Sequence, residues 1–343
     1  MGETAQRKSN VDRCSAESYE SILARDLVPA PDFYQEGPTP DVGTEPIAAS
    51  RYFDPAFLQQ ENDYVFPRVW QWACREEDIP NVGDHVVFDI GGHSWIVVRS
   101  AEQEVKALSN ACPHRGRQIV EADGSSHRFR CPYHGLQWHH DGSLKHNPFD
   151  WDMPQWNECG ADLPQAKVEL WGGFVFINMD HDAPPLKEVL APIPEHFARY
   201  DLAGKYKAAH VIKKIRANWK ATCEAFMESH HVVGTHPQAL NMTGDLNSQY
   251  DILSDYVGRQ FTAQSVQSPN LEAKLTEQEI FNFASGISAR ANDAGDPDTT
   301  VPEGMSARSF SAQRARDSLQ ELYGIDSSHA GDAELIDSLL YHV

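Results

Sequence analysis

The chain has 343 residues, with 50 acidic against 29 basic side chains and a formal net charge of -21. That imbalance makes nucleic acid and anionic membrane poor partners and a basic patch on an electron-transfer protein a good one. The length favours two domains over one and is ample for a core without disulfide staples.

Residues 1–10 are polar with no apolar h-region, and the longest apolar stretches, 95–98 and 174–177, are far too short to cross a bilayer. The expectation is a cytoplasmic protein with no membrane partner. Residues 1–49 read as an arm and linker: one short helix over 16–27, then a stretch broken by Pro29, Pro31, Pro38 and Pro40. From 53 to about 75 the spacing of Phe57, Leu58, Tyr64, Val65 and Val69 predicts helical segments. Short β-type runs follow at 85–90, 95–100 and 105–108, the first two joined by a Gly91-Gly92 turn. Turns are expected at 123–126 and 141–142, and 171–177 reads as one strong strand. Residues 50–180 thus read as a small antiparallel β domain.

A strand-like run over 206–215 opens the second domain, 181–343. A helix is expected from Asn218, a good N-cap, to about Val233, with Met227, Val232 and Val233 either lining a pocket or, the favoured role, packing in the core. Residues 265–343 alternate helical stretches with a polar loop near 290–303. Cys14, Cys74, Cys159 and Cys223 are scattered and read as free thiols.

Two segments carry chemistry that composition does not. Cys112-Pro113-His114-Arg115-Gly116 and Cys131-Pro132-Tyr133-His134-Gly135 supply Cys-x-His, then sixteen residues, then Cys-x-x-His. That set suits a [2Fe-2S] cluster with thiolates of Cys112 and Cys131 on one iron and imidazoles of His114 and His134 on the other. The prolines hold each segment in a turn, and the glycines let backbone pass close to the cluster. A structural Cys2His2 zinc site is the competing reading, but zinc fingers favour cysteines paired in one loop and histidines in another. His139, His140 and His146 read as surface residues.

The expected helix at 218–233 gives a second constellation. At about 100° per residue, Glu224, Glu228 and His231 share one face. His236 misses that face unless Gly234 ends the helix and Pro237 pushes its predecessor towards extended geometry. Two histidines with one carboxylate form the facial triad of non-haem Fe(II) oxygenases. Taken alone, paired histidines on such a helix are more often ordinary polar residues. His230 beside His231 is ambiguous, and the Glu228-x-x-His231-x4-His236 spacing favours His231.

Together these residues resemble the Rieske non-haem iron oxygenases, specifically the α (large) subunit of aromatic-ring-hydroxylating dioxygenases. The resemblance spans roughly residues 50–260 and includes both cluster motifs, Asn218-Trp219-Lys220, Glu224-x-Phe226-x-Glu228 and His236-Pro237. It implies an α+β chain: an antiparallel β Rieske domain, then a helix-grip (START/SRPBCC-like) catalytic domain with an antiparallel sheet. His231 and His236 are implied as ligands of a mononuclear Fe(II), and Glu228 as the acid bridging the two metal centres between neighbouring subunits. Most ring dioxygenases have Asp at the Glu228 position, whereas several oxygenases of alkyl and ammonium substrates have Glu; many relatives have Tyr where His230 stands.

The implied function is the oxygenase component of an NAD(P)H-driven system. A ferredoxin or flavin reductase supplies electrons, and O2 is used to mono- or dioxygenate an aromatic or other apolar organic substrate. The implied assembly is a homotrimer or α3β3. No G-x-G-x-x-G follows a strand, so no dinucleotide site is expected in the chain itself. The family's third iron ligand is an acid on a late helix. The end of the chain resembles the start of a mid-domain strand in relatives, so that acid is expected beyond residue 343, with neither Asp332 nor Asp337 in its place. The alternatives are a Rieske electron carrier without oxygenase activity, and a truncated, inactive oxygenase.

Overall fold

The computed structural model describes residues 17–35, 37, 43–158, 161–288 and 299–343. The expectations for Cys14, Cys159, Pro38 and Pro40, and for most of the 290–303 loop, lie outside them. The chain divides into two compact units, Glu45–Arg216 and Met1–Thr44 together with Ala217–Val343. Every pairing among the described strands is antiparallel. No helix among the described residues is long and apolar enough to cross a membrane.

The first unit is built on β1 (Gln71–Arg75), β2 (Asp84–Ile90), β3 (His93–Ala101), β4 (Glu104–Ser109) and β5 (Gly124–Ser125). The chain continues through β6 (Phe129–Arg130), β7 (Gln137–Trp138), β8 (Leu144–His146), β9 (Gln165–Trp171) and β10 (Phe174–Asn178). Seven strands run in the order β1-β10-β9-β4-β3-β2-β5, and β6-β7-β8 form a second, three-stranded sheet. Of the expected helical stretch 53–75, Pro55–Tyr64 is a helix, capped by the Asp54 carboxylate accepting from the Ala56 amide (2.9 Å), whereas Gln71–Arg75 is strand β1.

The run 171–177 is two strands rather than one. Gly172 and Gly173 lie at φ +59° and +81° between β9 and β10, the same geometry as Gly91 and Gly92 between β2 and β3. Positive φ at both central residues is what a tight hairpin requires. One core of this unit holds Ile96, Val98, Leu108, Phe129, Leu136, Trp138 and Leu163 around Cys112 and Cys131.

The second unit centres on β11 (Thr243–Ile252), β12 (Gly258–Gln264) and β13 (Ser338–His342), paired in that order. Helices cover Glu277–Ser288, Ala307–Tyr323 and Asp332–Ile336. The two faces of β11 and β12 differ in character. Phe261 and Ala263 face Tyr19, Ile22 and Tyr34 of the N-terminal segment, with Tyr34 and Phe261 ring centroids 4.6 Å apart. Ser248, Tyr250, Gln260 and Thr262 face the other way, as the Tyr250–Gln260 and Gln249–Phe261 register dictates.

The N-terminal segment therefore differs in part from the expected arm: Tyr19, Ile22 and Tyr34 are buried in a core, while residues 43–49 are exposed. Besides those aromatics, Asp26 takes Arg308 through both oxygens (2.6 and 2.9 Å). Asp337 takes the same guanidinium (2.6 and 2.9 Å) and accepts from the Tyr19 hydroxyl (2.7 Å). Its partners lie about 300 positions away, beyond the reach of local pattern.

The expected boundary at 180 also differs from the observed division. Leu186, Val189, Leu190 and Ile193 are buried, the Leu186 amide donates to Glu169 (3.0 Å), and Trp70 Nε1 donates to the Pro184 carbonyl (2.9 Å). The run 206–215 joins no ladder. Tyr206, Val211 and Ile212 are exposed, and Lys207 is held by Glu77 and Asp78.

Arg308 is 5% exposed and neutralises two carboxylates that are 1% and 0% exposed. Replacing it strands two buried anions, so Arg308→Met is expected to cost about 3–5 kcal/mol in urea unfolding. A loss below about 1 kcal/mol would mean that the two aspartates are not held as described.

Candidate metal centres

The cluster segments fold into two matching loops. The Cys112 amide donates to the Arg117 carbonyl (2.9 Å), and the Gly116 amide returns to the Cys112 carbonyl (2.8 Å). In the second loop, Cys131 donates to Leu136 (2.8 Å) and Gly135 to Cys131 (3.0 Å). Each reversal needs a left-handed residue, and Gly116 and Gly135 supply it at φ +68° and +85°. The amides inside each loop are thereby kept out of sheet ladders.

The loops bring like ligands together. Cys112 and Cys131 are 3% and 1% exposed in one core cluster. Burial pushes the Cys112 thiol above its ordinary value; the His114 and Arg115 amides pull it down, and the neighbouring Cys131 pushes it up. His114 Nδ1 and His134 Nδ1 are 3.1 Å apart, with ring centroids at 4.6 Å. Burial, His134 and Arg115 hold the His114 imidazole below its ordinary value, in the neutral form that binds metal. Two thiols on one side and two Nδ1 atoms converging on the other fit a cluster whose two irons differ in ligand type. A tetrahedral zinc has no need of that separation.

Several supporting residues carried no signal in the sequence. Asn110, 1% exposed, donates to Ser94 Oγ (3.0 Å) and the Val120 carbonyl (2.8 Å). Its carbonyl oxygen accepts from the Ile119 and Val120 amides (3.1 and 2.8 Å). All of its capacity is used, three bonds bracing the exit of the first loop and the fourth tying it to β3. Trp156 meets His114 edge-on at 5.0 Å, and Tyr133 lies over His134 at 3.8 Å. His139 and His146 are exposed as expected. His140 is not: it is part-buried, with Nε2 2.7 Å from the Ser126 carbonyl.

The second constellation forms, but not on one helix. Asn218 caps as expected, accepting from the Lys220 amide (3.0 Å), and the helix runs only over Trp219–Glu224. A short turn of helix, Val232–Thr235, resumes after a break. The break has a physical cause. The Ser229 amide donates to the Tyr250 hydroxyl (3.0 Å) and the His231 amide to Glu228 Oε2 (3.0 Å). Neither is left for a carbonyl four residues back. The shared helical face of Glu224, Glu228 and His231 therefore does not exist; Glu224 closes the first helix.

Glu228 nevertheless reaches His231 through a tight turn, with Oε1 2.6 Å from Nδ1. Desolvation raises the Glu228 carboxyl, but the hydrogen bonds from the His231 ring and amide outweigh it and hold the group below the usual range. His236 does come beside His231, ring centroids 5.4 Å apart, but not by the expected route: Gly234 lies inside the Val232–Thr235 turn, which ends at His236 with φ -127° and ψ 51° rather than extended. His230 faces Tyr250 instead, at 6.1 Å. Val232 is buried, whereas Met227 and Val233 are 43% and 49% exposed rather than core.

Among the described residues, no group of three or more His, Cys, Asp and Glu side chains gathers closely enough for one metal ion. The candidates come in pairs. Asp332 and Asp337 are committed elsewhere, to Arg316 (2.6 Å) and Arg308 (2.6 Å).

Comparison with known proteins gives a consistent answer for both units. The Rieske [2Fe-2S] domain family matches residues 69–157, and the ring hydroxylating alpha subunit catalytic domain family matches residues 197–318. The carnitine monooxygenase oxygenase subunit of Escherichia coli K12 is 30% identical over 200 residues, covering 56% of this chain and 52% of its own. The large oxygenase component of the naphthalene 1,2-dioxygenase system of Pseudomonas aeruginosa is 32% identical over 199 residues, covering 54% and 43%. The chain thus spans about half the length of the curated relatives it matches.

Among solved structures, a quaternary ammonium Rieske monooxygenase in complex with L-carnitine superposes with TM-score 0.54 at 22% identity, covering 62% of this chain and 61% of that one. A naphthalene 1,2-dioxygenase mutant bound to phenanthrene gives 0.55 at 23%, covering 84% and 62%. At these identities the likeness is one of fold. The chain thus carries a match to a Rieske domain followed by a match to a ring-hydroxylating catalytic domain, and it is similar to the large oxygenase subunits of Rieske oxygenases.

Proposed function

We propose that this chain is the oxygenase component of a multi-protein, NAD(P)H-driven system. Cys112, Cys131, His114 and His134 would hold the [2Fe-2S] cluster, and His231 and His236 the mononuclear Fe(II). The observation that carries the reading is the pairing of thiol with thiol and imidazole with imidazole by two matched loops. When bound, the cluster supplies single electrons and the ferrous ion supplies O2 activation with open coordination positions.

The chain's own residues prepare those sites. The loops present two buried sulfurs and leave amides free to donate to them, which tunes an Fe–S centre. Glu228 takes the proton-bearing Nδ1 of His231, which fixes the tautomer and leaves Nε2 as the metal-facing nitrogen. By family resemblance, Glu228 is also the residue through which electrons cross between neighbouring subunits.

That role implies an oligomer, a homotrimer or α3β3, and a separate ferredoxin or flavin reductase as donor. The expected setting is cytoplasmic. The substrate is a small organic molecule. The relatives bear the names of carnitine, glycine betaine and naphthalene systems, so aromatic and quaternary ammonium compounds are the two classes to offer.

An electron carrier whose second unit is only structural is the rival reading, and iron content separates the two. The holoprotein is expected to hold about three irons per chain and to consume O2 with reductase, NADH and a substrate of either class; a carrier holds about two and consumes none.

Two further outcomes follow from Glu228. Glu228→Gln keeps both metals and a reducible cluster but is expected to lose at least about tenfold in turnover, since an ionised hydrogen-bond acceptor is gone. Unchanged turnover would remove Glu228 from the electron path. Because its folded pKa is depressed, the Glu228–His231 interaction is present above the ordinary glutamate range and is lost as pH falls through the lowered value. Carboxyl NMR of the metal-free chain should show Glu228 titrating below about 4.3, and His231→Ala should return it there. A wild-type midpoint at or above that value contradicts the pairing.

A further inference from the structure

The turn that carries Glu228 and His231 rests on a closed ring of hydroxyls. Ser229 Oγ lies 3.0 Å from Thr262 Oγ1 and 3.0 Å from Ser248 Oγ, and Ser248 Oγ lies 2.8 Å from Thr262 Oγ1. The Gln260 side chain donates through Nε2 to Ser229 Oγ (2.6 Å) and Thr262 Oγ1 (3.1 Å). Ser229, Gln260 and Thr262 are 5%, 4% and 5% exposed, while His230 is exposed.

The proton count closes. Each hydroxyl has one proton and can donate once round the triangle while accepting once. The two N–H bonds of the Gln260 amide then fill further lone pairs on Ser229 and Thr262. The Ser229 amide is held as well, by the Tyr250 hydroxyl at 3.0 Å. Residue 229 is thus fixed at side chain and backbone by β11 and β12.

A sheet face that served packing alone would be apolar at these alternating positions. Buried polar groups cost free energy unless fully paired, and pairing here depends on one residue from outside the sheet, Ser229. Gln260 is not kept for its own satisfaction, since its Oε1 is buried with no partner among the described residues. What the ring adds over apolar contact is direction. Three hydrogen bonds to Ser229 Oγ and one from its amide, all of defined length, admit one placement of the 228–231 backbone, where aliphatic side chains would tolerate sliding.

We propose that Ser229, Ser248, Gln260 and Thr262 are positioning residues for the mononuclear iron site. Their hydroxyl–amide ring locks the 228–231 turn in the conformation in which the Glu228 carboxylate takes both the amide and Nδ1 of His231. The inference rests on the reading that His231 and His236 hold that iron.

The test uses the whole chain in metal-free form, so that it does not depend on loading. Thr262→Val removes a hydroxyl at constant shape, Ser248→Ala removes one from the half-buried side, and Thr262→Ser restores the ring. Hydrogen exchange at the His231 amide is expected to speed by about tenfold or more in Thr262→Val and Ser248→Ala, the value of one lost hydrogen bond. The His231 ring nitrogens should move from a single tautomer to a mixture in ¹⁵N spectra. Thr262→Ser should match wild type on both, and amides of β3 and β4 should be unaffected throughout.

Wild-type exchange and wild-type ring resonances in both hydroxyl deletions would overturn the proposal; should Thr262→Val fail to fold, Ser248→Ala decides alone. Co(II) titration of the same wild-type sample separates the two levels. No uptake defeats the iron reading, while the exchange result still decides the ring.

Discussion

The amide of each ligand cysteine bonds a carbonyl five residues ahead, and a left-handed glycine bonds back to that cysteine; the rest of the cluster unit is arranged around this pair of closures. A loop closed this way cannot join a sheet, so its inner amides remain available and its Cys and His project to one end. Doing it twice, with sixteen residues between, brings sulfur to sulfur and Nδ1 to Nδ1. The β-sheets on either side supply what the loops lack: a core that buries both sulfurs, and Asn110 to brace the exit of the first loop. Replacing either glycine by a residue confined to negative φ would open its closure before touching any ligand.

The iron-site turn follows a different logic. Its geometry is set by diverting amides from a helix rather than by closing a loop. Tyr250 and Glu228 take the amides of Ser229 and His231, the helix stops at Glu224, and His231 and His236 come to face each other from either side of a short helical turn. The residues doing the diverting lie on a strand about twenty positions downstream and in the turn itself. The site therefore forms only when β11 and β12 are in place, and those strands need the N-terminal segment on their other face.

This contrast explains what the sequence could and could not reveal. The cluster loops are legible because ligands, prolines and glycines are neighbours in the chain. The strands at 84–109 are legible for the same reason. The helix break at 225–231 was not, because Tyr250 is not local, and a helical wheel assigned Glu224 to a face that never forms. The burial of Tyr19, Ile22 and Tyr34 was hidden because Phe261 and Arg308 are far away in sequence. The run 206–215 misled in the opposite direction, having strand composition but no ladder. The split at Gly172-Gly173 carried the same signal as Gly91-Gly92 and was readable; the apolar residues flanking it outweighed it.

The central claim is that Cys112, His114, Cys131 and His134 hold one [2Fe-2S] cluster with two thiolate and two imidazole ligands. An EPR-monitored redox titration of the iron-loaded chain tests it most directly. The account predicts a one-electron cluster signal with a midpoint between roughly -150 and +300 mV, the range that imidazole ligation gives. A midpoint near about -400 mV, as for all-cysteine clusters, or a chain that binds one zinc and shows no cluster signal, would contradict it.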